Sequence, residues 1–185
     1  MPTVRPMVPA DVDDYLDHHD VLASTNGDGG RFFSPYSRHD TVDRAVSRPR
    51  ELTRWQTPLT EPGWRRAWGL VVDGAVVGHL YLAGGGLDSE LHRASLGMGI
   101  QAPHRGQGGG TELLRQALDW ARDQPGIDWI DLGVFDGNPA RRLYARLGFV
   151  EQGRVPDRFR VDGARIDDIS MSVSLSALRG GSCSS

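Results

Sequence analysis

Gln101-Ala102-Pro103-His104-Arg105-Gly106-Gln107-Gly108-Gly109-Gly110-Thr111 joins a run that reads as a strand, His92 to Ile100, to one that reads as a helix, Thr111 to Asp123. The turn is dense in glycine, which lets backbone turn sharply and approach a ligand closely. The first N–H groups of the following helix have no internal partners, and the positive end of the helix dipole lies beside them. Together these features make an anion site, to which Arg105 adds a fixed charge suited to phosphate oxygens. Without a ligand, the same segment is a glycine-rich helix start. A phosphate loop of the Gly-x-x-x-x-Gly-Lys-Ser/Thr kind is excluded, because all 21 basic residues are arginine. A dinucleotide fingerprint is excluded as well. Gly97-Met98-Gly99-Ile100-Gln101-Ala102 fits its letters loosely but lies inside the strand and runs into Pro103.

Outward from the turn, Leu113, Leu114, Ala117, Leu118 and Ala121 form the apolar stripe of the helix. Ile130, Leu132 and Val134 alternate through a strand from Trp129 to Phe135, and Asn138 to Leu147 reads as a short helix. Two strands around Asp162-Gly163 close the chain, the second carrying Ile169, Met171, Val173 and Leu175. Upstream, Asp73-Gly74 between two apolar runs predicts a hairpin over Trp68 to Leu82. Val4 to Pro6 ends a first strand, and Pro9 opens a helix with Asp11, Asp13 and Asp14 in its first turn. Val12, Tyr15, Leu16, His19 and Leu22 share the buried face of that helix, which leaves His18 and His19 as structural or solvated residues. Asn26 to Ser37 is a glycine-punctuated loop carrying Phe32, Phe33 and Tyr36, as a pocket wall or as an anchor for the loop. A second helix is expected near Asp40 to Arg48. The element order predicts an α/β sheet with helices packed on it.

At 185 residues, the chain suits one domain, expected over residues 1–178, with residues 179–185 as a frayed tail. No apolar run approaches the roughly 20 residues of a membrane-spanning helix, and Met1 to Pro6 lacks a signal-peptide core, so no membrane partner is expected. The net charge of −3 gives no basic field for nucleic acid. The single cysteine, Cys183, makes no internal disulfide, so the cytoplasm is the expected compartment. No Cys/His cluster has metal-ligand spacing, so no metal is expected. The absence of lysine excludes Schiff-base chemistry.

Arg105, Gly108 and Gly110 occupy the fixed positions of Arg/Gln-x-x-Gly-x-Gly/Ala, and the segment resembles the acetyl-CoA signature of the GNAT superfamily of N-acetyltransferases. A second block resembles the family's next motif. Val134-Phe135-Asp136-Gly137-Asn138 is followed by Ala140, Leu143, Tyr144 and Gly148-Phe149. One departure is that Asn138 to Tyr144 is one position shorter than the family's spacing. His92 to Gly97 and Arg160 to Met171 resemble the flanking strand and the closing hairpin, whereas residues 1–90 carry only the general order of elements.

The resemblance implies a mixed, mostly antiparallel central sheet with helices on both faces. Acetyl-CoA is the implied co-substrate and an amine the implied acceptor. Its pyrophosphate falls to Arg105, Gly106, Gln107, Gly108, Gly109, Gly110 and Thr111, with Asn138 beside it. Met98, Gly99 and Ile100 supply backbone donors to the thioester oxygen, and Tyr144 is the general acid for the leaving thiolate. His92 is the first candidate for general base, since imidazole titrates near neutrality, or a histidine merely satisfied at a strand start. Glu90 and Asp88, acting through water, are the runners-up. His104 beside the turn reads as a surface residue. The implied reaction acetylates a small-molecule amine. The alternatives are a peptide or protein amine as acceptor, and an acyl-CoA-binding module without turnover, against which Tyr144 argues. Dimers are common in the family, and no interface is specified by these residues.

Overall fold

The computed structural model describes residues 1–176 of the chain; the expected tail and Cys183 lie outside them. Its elements run β1 (Thr3–Pro6), α1 (Val12–Ser24), α2 (Arg44–Gln56), β2 (Arg65–Val72) and β3 (Ala75–Gly84). They continue with β4 (Arg93–Ile100), α3 (Gly109–Arg122), β5 (Trp129–Phe135), α4 (Ala140–Arg146), β6 (Val150–Val161) and β7 (Ala164–Ser174). The seven strands form one sheet in the order β1-β2-β3-β4-β5-β7-β6. Every neighbouring pair is antiparallel except β4 and β5.

Strand alternation assigns the two faces. Leu80, Leu82, Leu96, Ile130, Leu132 and Met171 point to one side, where they pack with the stripe of α3 and with Tyr144 and Phe149. Ala67 and Tyr81 point to the other, where Val12, Tyr15 and Leu16 of α1 and Leu52 and Trp55 of α2 cover β2 and β3. The sheet therefore has helices on both faces, as expected. Both Asp-Gly turns form as read. Asp73 and Asp162 take φ near +50° ahead of Gly74 and Gly163, the geometry of a tight hairpin.

The second helix differs from its expected position. Asp43, not Asp40, supplies the cap, its carboxylate accepting from the Ala45 and Val46 N–H groups at 3.0 and 3.4 Å. The helix then runs through Pro49, where an interior proline ordinarily breaks it, as far as Gln56. Burial of Glu51 and Trp55 beyond the proline holds that last stretch in place. His18 and His19 are not solvated; both are packed beneath α1 against His79.

Candidate active site

β4 and β5 pair only at Arg93–Trp129, Ala94–Ile130 and Ser95–Asp131. Past that point β4 continues beside β3 to Ile100, and β5 continues beside β7 to Phe135. The two strands therefore part into a wedge whose facing edges have no partner strand. The glycine-rich turn lies at the open end of β4.

In the turn, Gly108 has φ +87°, a conformation that a side chain would strain. Gly109 sits so close to β2 that a Cβ would lie 2.5 Å from Leu70 Cδ2. The N–H groups of Gly106, Gln107 and Gly108 donate to none of the described residues. Those of Gly109 and Gly110 open α3, whose first turn has no internal acceptors for them. Thr111 donates its N–H back to the Gly108 carbonyl at 3.0 Å, and the Gln107 side chain donates to the Pro103 carbonyl at 2.9 Å. Arg105 is anchored by its Nε, which donates to the Ile100 carbonyl at 2.7 Å. Its guanidinium lies 4.3 Å from the centre of the Phe33 ring, and its Nη groups have no hydrogen-bond partner among the described residues. His104 lies half-buried in a short helical turn before it.

The turn, the end of β4 and α4 converge at Gly110. A Cβ there would lie 3.4 Å from Ile100 Cδ1 and from Leu143 Cδ2, and 3.8 Å from Met98 Cε. Tyr144 follows on α4, 6% exposed and 5.8 Å from the Phe149 ring. Its hydroxyl bonds to no described residue, and burial pushes its pKa above the usual phenol range. Asn138 is engaged locally: its amide oxygen accepts the Ala140 N–H at 2.9 Å and starts α4.

His92 is not brought to this convergence. It is exposed at the closed end of the wedge, where its carbonyl accepts from Asp128 and Trp129 at 2.8 and 3.1 Å. Met98 is six positions further along, roughly 20 Å of extended strand. Glu90 and Asp88 lie one step earlier, in a short turn before β4.

On the face of the sheet opposite α3, a cleft of about 430 Å³ runs over β4, β5 and β7. Ser95, Asp131, Gly133, Asp168, Ser170 and Ser172 line it. Asp131 is held by Arg93 in a two-point contact at 2.7 and 2.6 Å and by the Ser172 hydroxyl at 2.6 Å. Under α1, on the same face of the sheet, lies a buried polar group. Gln101 Nε2 contacts His18 Nδ1 at 3.1 Å, and His18 Nε2 contacts His79 Nδ1 at 3.0 Å. Burial lowers His18 and His19 to about 4 and His79 well below the usual imidazole value, so all three are neutral at pH 7. His79 and Tyr81 lie over Gly99 and Gly97 of β4, filling space that a side chain there would need. His79, Tyr81 and Asp168, which the sequence reading did not single out, lie on this face of the sheet. Their alternation within their strands was visible, but the strand beside them was not.

The loop before α2 spans these parts. Phe32 packs against the cluster of Phe135, Val161 and Ile166, and Ser37 donates to Asp162 at 2.7 Å. Phe32 is thus an anchor on the closing hairpin, while Phe33 backs Arg105 and Tyr36 is exposed.

A family model described as the acetyltransferase (GNAT) family matches residues 33–149, which includes the wedge, the turn and α4. The chain belongs to the GNAT acetyltransferase family. Among curated relatives, it is 28% identical over 100 residues to the L-amino acid N-acetyltransferase AaaT of Escherichia coli (strain K12). That match covers 54% of this chain and 62% of the relative's length. The GNAT fold here superposes on the acetyltransferase of the GNAT family from Streptococcus pneumoniae with a TM-score of 0.82. The identity is 18%, over 94% of this chain and 99% of the other. It also superposes on yncA from Salmonella typhimurium, solved with its cofactor acetyl-CoA, with a TM-score of 0.73. There the identity is 21%, over 95% and 94% of the two chains. Among the described residues, no helix of this GNAT chain is long and apolar enough to cross a membrane, and no group of three or more potential ligands is arranged to hold a metal.

Proposed function

We propose that this GNAT protein transfers an acetyl group from acetyl-CoA to the amine of a small molecule by direct attack on the thioester. The observation that carries the reading is the convergence at Gly110 of the turn with free N–H groups, the unpaired end of β4, and α4 with Tyr144. In this reading Gly106 to Thr111 and Arg105 hold the pyrophosphate, with Asn138 placed beside them through its role at the start of α4. Backbone donors of Met98 to Ile100 receive the thioester oxygen as it becomes an oxyanion. Tyr144, kept protonated by burial, gives its proton to the departing thiolate. Fixing both reactants in the wedge supplies roughly 7–11 kcal/mol of the barrier. A small acceptor is favoured by the cleft of about 430 Å³ and by the amino-acid substrate named for the Escherichia coli relative.

Isothermal titration with acetyl-CoA tests the cofactor assignment. Wild type binds it, and Gly108→Asp and Gln107→Glu each weaken binding at least tenfold, about 1.4 kcal/mol. Gln107→Glu adds the repelling charge without the backbone strain of Gly108→Asp. Wild type that binds neither acetyl-CoA nor a longer acyl-CoA overturns the reading.

A further inference from the structure

We propose that Asp168 receives the acceptor's ammonium group at the mouth of the wedge and takes its proton, so that the acceptor is a primary amine bound as a cation. This rests on the acetyl-transfer reading above and adds the group that activates the nucleophile.

The placement is specific. Asp168 pairs with Phe135 across β5 and β7, and both its carboxylate oxygens lie 2.9 Å from where a Cβ on Gly133 would stand. Any side chain at 133 would displace it. Gly133 lies two residues past Asp131, the last residue of β5 that pairs with β4. Gly97 lies two residues past Ser95 on the other strand, so Gly133 and Gly97 face one another where the wedge opens. Tyr81 covers Gly97 from the β3 side. A thioester carbonyl held by Met98 to Ile100 is therefore reached from this face between Tyr81 and Asp168.

The charges of the cleft single out Asp168. Asp131 is neutralised by Arg93 and hydrogen-bonded by Ser172. The Asp168 carboxylate accepts no hydrogen bond from a described residue, and Arg158 of β6 acts on it only at Coulombic range. Burial beside Phe135 raises its proton affinity, the direction a base needs. His79 near Gly99 is a rival by position, but its Nδ1 is engaged by His18 Nε2 at 3.0 Å, and His18 Nδ1 by Gln101 at 3.1 Å.

The step balances. Asp168 takes one proton from the ammonium, and the free amine forms a C–N bond to the thioester carbon. The adduct nitrogen loses its second proton, the C–S bond breaks, and Tyr144 protonates the sulfur. Tyr144 is restored by the proton from nitrogen, and Asp168 releases its own to solvent. Leu132 and Val134 of β5 point toward α4 while Gly133 points away, so Asp168 takes one proton on one face of the sheet and Tyr144 delivers a different one from the other.

The test uses n-butylamine as the acceptor and follows thiol release from acetyl-CoA against pH. In Asp168→Asn, kcat/KM for the amine falls about 100-fold and the affinity for acetyl-CoA stays at the wild-type value. The acid limb of the pH profile disappears with the carboxylate, with Arg158, Arg93 and Asp131 as the remaining charges around the site. Asp168→Glu restores part of the rate. Asp168→Asn within threefold of wild type with the acid limb intact overturns the proposal. So does wild type that binds acetyl-CoA but neither acetylates nor binds n-butylamine. Wild type that does not bind acetyl-CoA at all overturns the underlying transfer reading, and this proposal with it.

Discussion

In the proposed transfer, Tyr144 and Asp168 are opposite solutions to one problem, the placing of a proton. Burial raises both pKa values, which keeps a phenol as a donor and makes a carboxylate a better acceptor. Tyr144→Phe is therefore expected to lower kcat about 100-fold and leave acetyl-CoA affinity unchanged, measured by steady-state turnover and by titration. Because the folded pKa is raised, wild type holds this proton above the pH at which a free tyrosine loses it. The two residues were not equally legible. Tyr144 sits in a short local pattern with Leu143 and Gly148-Phe149, all within one turn and one strand start. Asp168 gains its meaning from Gly133, 35 positions away, and only the register between β5 and β7 joins them. His92 lies away from the convergence for a related reason. Its strand was read correctly, but not which end of that strand opens.

Elements whose signals are local came through best. The Asp-Gly hairpins, the β5 alternation and the α3 stripe all lie within about fifteen residues of sequence, and each formed where it was read. The second helix did not, because its last turns are held by contacts of Trp55 with Tyr15 and Ala67 that overrule Pro49. α3 is also the element that fixes the turn, since its buried stripe locks the helix whose N-terminus faces the wedge. Leu114 is fully buried on it, and Leu114→Ala is expected to cost about 3 kcal/mol. Thermal unfolding should record this as a fall of roughly 6–12 °C in Tm.

Across the whole molecule, the neutral histidines under α1 tie stability to pH. Their folded pKa values lie below the unfolded value of 6.5, with His18 and His19 at about 4. The unfolded chain then binds more protons between those values, so the contribution is complete above pH 6.5 and is lost as pH falls toward 4. Tm should drop steadily from pH 6.5 to pH 5, a window in which most carboxylates stay ionised. His18→Gln should be less stable at pH 7 yet less sensitive to acid over that window. The topology that brings these histidines together was legible only as a class, a mixed sheet with helices on it. The parting of β4 from β5 has no sequence period of its own.

That parting also divides the sheet mechanically. β1 to β4 form one leaf and β5 to β7 another, stitched by three residue pairs at one end and bridged by α3 on one face and by the loop before α2 on the other. Such a seam is where local opening is least costly, because few backbone bonds must break to separate the leaves. A ligand lying in the wedge touches both leaves, so its binding energy is also spent in clamping them together. Occupancy then makes two half-sheets unfold as one cooperative unit.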